Sequence, residues 1–304
     1  MTLTARRRFP ELLILCGAFL ISFSAVWVKL ANVPPMASAF YRVFFGFLFL
    51  VIATAWRGDL KKPSPYVIKW VALCGLLFAM DLFFWHASIG YIGPGLATIM
   101  GNFQVFFLTA IGFWVYGEQL RLRFLLALPL AVGGLFLVIE IPHLLTWTNT
   151  TTGVMFGLLT AICYSGFILS LKKIQSEDQQ QSFFYSLMAV SLATSFFLGI
   201  SMTTTSTSFA IPSTGSLLAL LGLGLFSQTV GWTLITYSMP KIRTSLTGFI
   251  LLLQPALAFI WDVVLFDRST AFANWIGVSL ILSAMYMGMT GKGKKIKQPA
   301  ADTH

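Results

Sequence analysis

Long apolar stretches alternate with short polar connections along the chain. Ten mostly apolar stretches can be delimited, and each is close to the roughly 20 residues that a helix needs to cross the hydrocarbon core of a bilayer. They are residues 11–31, 36–56, 67–88, 94–116, 121–140, 152–172, 182–202, 214–237, 242–264 and 271–290. Proline, glycine and Thr/Ser clusters separate them, and no connection is long enough for a separate soluble domain. The pattern predicts an all-α protein with ten transmembrane helices.

The composition also indicates a membrane protein. Hydrophobic residues make up 57% of the 304 positions and charged residues 10%, with a mean hydropathy of +0.82, whereas about a quarter of the residues in soluble domains are charged. The 20 Lys and Arg residues outnumber the 10 Asp and Glu residues, which would suggest nucleic acid as a partner of a soluble protein. Here most positive charge falls in short connections and tails. We therefore predict an integral membrane protein that contacts the lipid bilayer and no nucleic acid.

Lys and Arg are concentrated in alternate connections. The clusters are Arg6, Arg7 and Arg8; Arg57, Lys61, Lys62 and Lys69; Arg121 and Arg123; Lys172 and Lys173; Lys241 and Arg243; and Lys292, Lys294, Lys295 and Lys297. Because cytoplasmic loops are enriched in these residues, both termini and the basic tail 291–304 are expected in the cytoplasm. The first apolar stretch is too long for a signal peptide and predicts an uncleaved helix. We expect a multi-pass protein of the bacterial inner (plasma) membrane.

Two parts of the chain share one spacing of polar and aromatic residues. Asp81 and Trp85 stand one helical turn apart and so lie on one helix face. The pair recurs as Gln228 and Trp232, 147 positions later. A polar residue and a tryptophan repeated in this way indicate a duplicated unit with a polar cavity between its copies.

A second internal match supports the duplication. Gln104 recurs as Gln254, 150 positions later, and apolar residues follow both. Five helices per half is an odd number, so the second copy must be inserted upside down relative to the first. We therefore predict two inverted-topology five-helix repeats, residues 11–140 and 152–290, an architecture from which many secondary transporters are built.

Several motifs together resemble the EamA-type drug/metabolite transporter superfamily. They are Trp27 with Lys29, Pro34, Arg42, the run FAMDLFFWHASI around Asp81, Gly117-Glu118, Ser227-Gln228 with Gly231-Trp232, and Gln254-Pro255. The resemblance covers nearly the whole chain. It implies ten transmembrane helices in two inverted EamA repeats around a central cavity. It also implies transport, often export, of amino acids, metabolites or toxic small molecules.

Asp81 is the charged residue that most needs an explanation. It lies 14 residues into the third stretch, which at ~1.5 Å per residue places it beyond the middle of the membrane, toward the outside. Gln228 would lie at a similar depth on the inner side. An ionised carboxylate facing lipid is costly, so Asp81 should face protein or water. Two interpretations are open: Asp81 binds a cationic part of the substrate or a proton, or it forms a structural ion pair with Arg42 or Lys29.

Other candidates are polar or aromatic residues within the apolar stretches. The predicted substrate-binding set is Asp81, Trp85, Gln228, Trp232, Asn102, Trp27, Tyr164 and Gln254. Proton-coupling or ion-pair candidates are Asp81, Arg42 and His86. The plainer alternatives are an interfacial anchor for Arg42 and a hydrogen-bonded packing residue for His86. Glu118 and Asp262 are interpreted as boundary residues near helix ends.

The leading functional hypothesis is a secondary transporter of small organic solutes that works by alternating access. An intramembrane enzyme is disfavoured because the sequence has no paired intramembrane carboxylates and no H-E-x-x-H or G-x-S-x-G motif. A flippase for a lipid-linked or amphiphilic substrate is the alternative. No cofactor or metal is expected, proton coupling rests on Asp81 alone, and the protein is expected to be a monomer or homodimer.

Overall fold

The computed structural model describes residues 3–58, 64–138, 147–177, 182–267 and 269–290, and every regular element in these residues is helical. The first elements are α1 (Leu3–Ser22), α2 (Ser24–Ala31), α3 (Pro35–Trp56), α4 (Pro65–Asn102), α5 (Gln104–Trp114) and α6 (Leu122–Val138). The next are α7 (Trp147–Glu177), α8 (Phe183–Thr204), α9 (Thr214–Gly222), a π-helix (Leu223–Gly231), α10 (Trp232–Ser238) and a 3₁₀ turn (Met239–Lys241). The last are α11 (Thr244–Ile250), α12 (Leu253–Phe266) and α13 (Phe272–Thr290).

Nine helical segments within the described residues are long and apolar enough to cross a membrane. They are Phe9–Ala31, Pro35–Trp56, Pro65–Ile92, Ala97–Trp114, Thr151–Ser176, Phe183–Thr204, Thr214–Lys241, Thr244–Phe266 and Phe272–Met289. A shorter apolar helix, Leu122–Val138, lies in the predicted fifth stretch, whose last residues are outside the described part, as is the tail 291–304. The prediction of an all-α, multi-pass integral membrane protein is confirmed.

The long helical stretch α4 contains two spans that run in opposite directions along α7. In the first span, Ser88 Oγ donates to the carbonyl of Gly153 at 2.8 Å, and the carbonyl of Asp81 accepts from Thr160 Oγ1 at 3.5 Å. In α5, which continues the second span, the carbonyl of Gln104 accepts from Ser165 Oγ. The first span therefore runs antiparallel to α7, and the second runs parallel to it. The chain reverses between these spans, where the sequence has Gly93-Pro94-Gly95.

Two spans are interrupted near the repeated glutamines. They are Ala97–Trp114 and Thr244–Phe266, which we call the fourth and ninth spans after the predicted stretches that they match. The first break is at Phe103, whose N–H donates to the carbonyl of Met100 three residues earlier. The second is at Leu252, whose N–H donates to the carbonyl of Phe249. Pro255 follows the second break, whereas the first has no proline. Irregular backbone at membrane depth is tolerated where protein or a cavity surrounds it.

Helices from the two halves of the sequence interleave. α4 packs on α7, α3 on α8 and on the π-helix, α5 on α11, α6 on α13, and α1 on the π-helix and α10. Some of these contacts are very close. A Cβ built on Gly134 of α6 would lie 2.7 Å from the carbonyl oxygen of Gly277 in α13. The apolar core is therefore made jointly by both halves, as small residues at helix interfaces allow.

Candidate functional site

A cavity of about 320 Å³ lies among the spans. Of the residues predicted to bind substrate, six line it: Asp81, Trp85, Asn102, Tyr164, Trp232 and Gln254. Arg42, predicted as a proton-coupling or ion-pair candidate, lines it too. Gln228, Trp27 and His86 are not among its lining residues. Spans distant in sequence thus bring together a carboxylate, a guanidinium, amides and aromatic rings.

The cavity is displaced toward one end of the bundle. We call the end where Lys29 pairs with Asp262 the Lys29 end, and the end where Glu118 contacts Thr244 the Glu118 end. Most of the cavity residues, Ala258 among them, belong to the halves of their spans nearer the Lys29 end. Access to the cavity is therefore shorter from the Lys29 end than from the Glu118 end.

Asp81 and Arg42 face the same cavity without forming a direct ion pair. Asp81 is only 7% exposed, and in the described part of the chain no basic nitrogen lies within 4.0 Å of its carboxylate. The two groups are close enough to interact electrostatically. Lys29, the other partner considered for Asp81, pairs with Asp262 instead. The direct ion pair considered from the sequence is therefore not formed, and both charges remain available to a bound molecule.

Gln228 lies behind Arg42 rather than in the cavity wall. Its Oε1 accepts a hydrogen bond of 3.2 Å from Nε of Arg42, and its Nε2 donates to Ser191 Oγ at 3.1 Å. Gln228 is 1% exposed. It belongs to the π-helix Leu223–Gly231, and Trp232 follows directly in α10. The sequence predicted that Gln228 and Trp232 share a cavity face, whereas in the structure Trp232 lines the cavity and Gln228 does not.

Buried amide and indole atoms in the cavity wall lack hydrogen-bond partners within the described residues. They are Oε1 of Gln104 and Nε1 of Trp232, while the side chain of Gln254 interacts with the hydroxyl of Tyr164. The other end of the Gln104 amide is fixed, because its Nε2 donates to the carbonyl of Gly248 at 3.2 Å. Buried polar atoms without partners are rare because they cost free energy. An unpartnered acceptor and an unpartnered donor therefore belong to residues of the cavity wall.

Sequence reasoning used Gln104 to align the repeats and did not include it among the site residues. Gln104 is 1% exposed and lines the cavity together with Gln254. The signal that could have identified it was its equivalence to Gln254, which was in the predicted set. Thr160, from α7, was also missed, and a single threonine in an apolar stretch gives no comparable signal.

Aromatic rings close the cavity toward the Glu118 end. Phe78 stacks on Phe167 with ring centroids 4.3 Å apart, and Trp232 meets Phe167 edge-on at 4.9 Å. Tyr164 stacks on Phe167 at 6.0 Å. Phe78, Phe167 and Trp232 are at most 2% exposed. This aromatic floor is contributed by spans from both halves and separates the cavity from the Glu118 end.

The remaining two predicted residues lie outside the cavity. Trp27 stacks on Phe226 at 5.9 Å and covers Gly222, where an added Cβ would lie 3.0 Å from its ring. His86 Nδ1 lies 2.6 Å from the carbonyl oxygen of Leu82 in the preceding turn, as expected for a packing residue.

A bundle of apolar spans that encloses a cavity with charged and amide groups has the architecture of a membrane transporter. Residues 8–140 and 151–290 match the EamA-like transporter family, so the chain belongs to that family. The resemblance inferred from the sequence motifs is confirmed, and so is the prediction of a transporter rather than an enzyme.

Individual relatives agree with this assignment. The chain is 24% identical over 280 residues to an "Uncharacterized transporter" of Archaeoglobus fulgidus, which covers 91% of this chain and 95% of the relative. It is 24% identical over 283 residues to a "Probable amino-acid metabolite efflux pump" of Escherichia coli, covering 89% and 91% of the two chains. A crystal structure with 16% sequence identity superposes with a TM-score of 0.77 over 92% of this chain and 96% of that one, which shows a shared fold.

Proposed function

We propose that the protein is a secondary transporter that exports amino acids or related zwitterionic metabolites by alternating access. The observation that carries this proposal is the cavity in which Asp81 and Arg42 face a common space without pairing. A buried carboxylate and a nearby guanidinium would normally pair unless other groups compensate them. A small molecule that carries both charges would compensate both residues at once.

The proposed substrate class follows from the chemistry of the cavity wall. An ammonium group would bind Asp81, and a carboxylate would bind the guanidinium of Arg42. The side chains of Gln104 and Gln254 would complete the polar contacts, while Trp85 would pack against an apolar side chain. A cavity of about 320 Å³ is at the small end of the range for ligand sites, which suits a small metabolite.

Pairwise packing supports ten transmembrane helices in two inverted repeats. In an inverted repeat of five helices, each span of the first half corresponds to the span five places later in the chain. The packing of α4 on α7 then corresponds to the packing of α1 on the π-helix and on α10. The packing of α5 on α11 and that of α6 on α13 each relate corresponding spans. The breaks at Phe103 and Leu252 adjoin the equivalent residues Gln104 and Gln254. Inverted repeats of this kind place the substrate site at their interface.

The distribution of basic residues supports the orientation. In the described chain, the Glu118 end has Arg57, Lys69, Arg121, Arg123, Lys172, Lys173, Lys241 and Arg243. Lys29 lies at the other end. The Glu118 end would therefore face the cytoplasm of a bacterial inner membrane, with both termini on that side. The cavity would then face outward, toward the side of release in an exporter.

Proton coupling would use the same carboxylate. When substrate leaves the outward-facing cavity, Asp81 loses its cationic partner and its buried carboxylate becomes easier to protonate. Return of the protonated site to the cytoplasmic side would then complete an exchange of substrate for a proton. The oligomeric state, monomer or homodimer, does not enter this scheme, because both repeats are in one chain.

The test is transport by purified protein in lipid vesicles. We expect a pH gradient to drive uptake of labelled neutral amino acids, and thermal stability of the protein to rise with the same compounds, since ligands that bind the folded state stabilise it. Organic cations, sugars and nucleotides serve as comparison ligands. Exposure of a fluorescent lipid reporter without solute flux would contradict the proposal and favour a flippase.

A further inference from the structure

Glu118 connects two spans that belong to different halves of the sequence. The connection lies at the end of the bundle that is named after this residue. It follows the fourth span, and its carboxylate accepts hydrogen bonds from the backbone N–H groups of Thr244 and Ser245. The hydroxyl of Ser245 also donates to it, at 2.6 Å. Three donors from the start of the ninth span thus converge on a residue that the sequence suggested to be a simple boundary residue.

The start of the ninth span depends on this carboxylate. The residue before α11 is Arg243, whose side chain has no acceptor, and no side-chain capping bond forms within the span. The first N–H groups of a helix have no partners within it and favour negative charge. Glu118, a residue of the first half of the sequence, therefore caps the start of α11 in the second half.

Three further hydrogen bonds join these two spans to each other and to α7. Lys172, from α7, donates to the carbonyl of Ile242 at 3.0 Å and to Thr244 Oγ1 at 2.7 Å. Arg243 donates to the carbonyl of Gln119 at 3.1 Å. Burial lowers the pKa of the Arg243 guanidinium, and the Glu118 carboxylate opposes that shift. The spans tied here are those that carry Gln104, Tyr164 and Gln254 into the cavity.

The backbone conformation at Gly117 positions Glu118 for its contact with Thr244 and Ser245. Gly117 has φ +62°, a left-handed conformation that glycine adopts without strain. The chain then turns back, and the N–H of Glu118 donates to the carbonyl of Gly112 at 2.8 Å. At the opposite end of the ninth span, the Lys29 end, Asp267 is exposed. The contacts of Glu118 therefore hold the spans together at the end away from the cavity.

We propose that Glu118, Lys172, Thr244 and Ser245 form a latch that keeps the cytoplasmic side closed and must separate for the cavity to open inward. We call this set the cytoplasmic latch. This proposal rests on the alternating-access part of the proposed function. It adds that the latch sets the balance between the outward-facing and inward-facing states. Separating the latch exposes a carboxylate and helix N–H groups, which cytoplasmic water can then bind. Weakening the latch shifts the balance inward.

The test measures access to the cavity from each side and needs no substrate. In a chain with Cys16, Cys74 and Cys163 replaced, a reporter cysteine is introduced either as Ala258→Cys or as Leu251→Cys, two positions that line the cavity. Reaction with a membrane-impermeant maleimide is followed in whole cells and in inverted vesicles. In Glu118→Ala we expect Leu251→Cys to react roughly 5- to 30-fold faster from the cytoplasmic side, since one or two kcal/mol corresponds to that factor. Ala258→Cys should react more slowly from outside.

Two variants complete the test. Gln119→Ala is the matched control, because Gln119 contributes to the contact through its backbone carbonyl, and it should leave both rates unchanged. Ser245→Ala removes only the hydroxyl donor and should raise the cytoplasmic rate about 2- to 5-fold, which keeps the proposal testable if Glu118→Ala does not fold. Unchanged rates in folded Glu118→Ala and Ser245→Ala overturn the latch. A cavity cysteine that reacts from neither side in the otherwise unaltered chain contradicts alternating access itself.

Discussion

At the scale of single residues, the cavity keeps two opposite charges close but unpaired. Asp81 is nearly buried, and the Arg42 guanidinium is held from behind by Gln228, which is itself bonded to Ser191. This arrangement restrains Arg42 away from Asp81. Asp81 thus acts through its own charge, whereas the position of Arg42 depends on its hydrogen bond to Gln228.

The first prediction concerns the Asp81 carboxylate. Asp81→Asn keeps the shape of the side chain and removes the charge, so we expect transport in vesicles to fall by at least about tenfold, the effect of losing roughly 1.4 kcal/mol of interaction. Insertion and thermal stability should be retained, because no direct ion pair is broken. Size-exclusion profiles of the purified variant provide the control, and normal transport kinetics would remove Asp81 from the mechanism.

The second prediction concerns Gln228 as a positioning residue. Gln228→Leu removes both hydrogen bonds and leaves Arg42 free to approach Asp81, so we expect the KM for a zwitterionic substrate to rise about 5- to 10-fold with a smaller change in maximal rate. Ser191→Ala should cause a weaker effect in the same direction. Trp27→Phe, at a residue that lies outside the cavity, is the matched control. Equal losses of rate at all three positions would indicate a general structural defect instead.

At the scale of helices, close packing and local interruptions determine the site. The breaks at Phe103 and Leu252 bring Gln104 and Gln254 to the cavity. Gln228, in the π-helix, contacts Arg42 and does not line the cavity. Apolar length is a local property of the sequence, and it predicted the nine membrane-crossing segments of the described chain. It could not predict which residues a broken or widened helix turns inward.

The third prediction tests helix packing away from the cavity. Gly134→Ala would place a Cβ 2.7 Å from the carbonyl oxygen of Gly277, so we expect a loss of about 1–3 kcal/mol in stability from overpacking between α6 and α13. Gly133→Ala is the neighbouring control, because a Cβ there meets no atom within 4 Å and alanine favours the helix. Thermal unfolding in detergent compares the two variants. Equal melting temperatures would refute the close approach of these helices.

At the scale of the whole molecule, the two halves make one core. Gly46 of α3 packs directly against Gln228, with a built Cβ 2.3 Å from its Cγ. The aromatic floor combines Phe78 with Phe167 and Trp232. Neither half can bury its packing faces alone, because their partners belong to the other half.

The fourth prediction follows from this shared core. If the chain is divided in the connection between Val138 and Trp147, we expect each half expressed alone to be degraded or aggregated, and co-expression to restore a complex that co-purifies and transports. Pull-down through a tag on one half measures assembly. A first half that is stable and monodisperse on its own would show that the shared packing is not required for folding.

The sequence by itself determined the membrane class, the spans and the EamA family, because long apolar stretches and short local motifs carry that information directly. It also indicated most of the cavity wall, since polar groups such as Asp81, Asn102 and Gln254 are costly in an apolar span unless they face protein or water. Only the tertiary structure decided that Gln228 lies behind Arg42, that Gln104 lines the cavity and that Glu118 caps the ninth span. These are contacts between residues over a hundred positions apart, and they depend on helix breaks and rotations that no local pattern encodes.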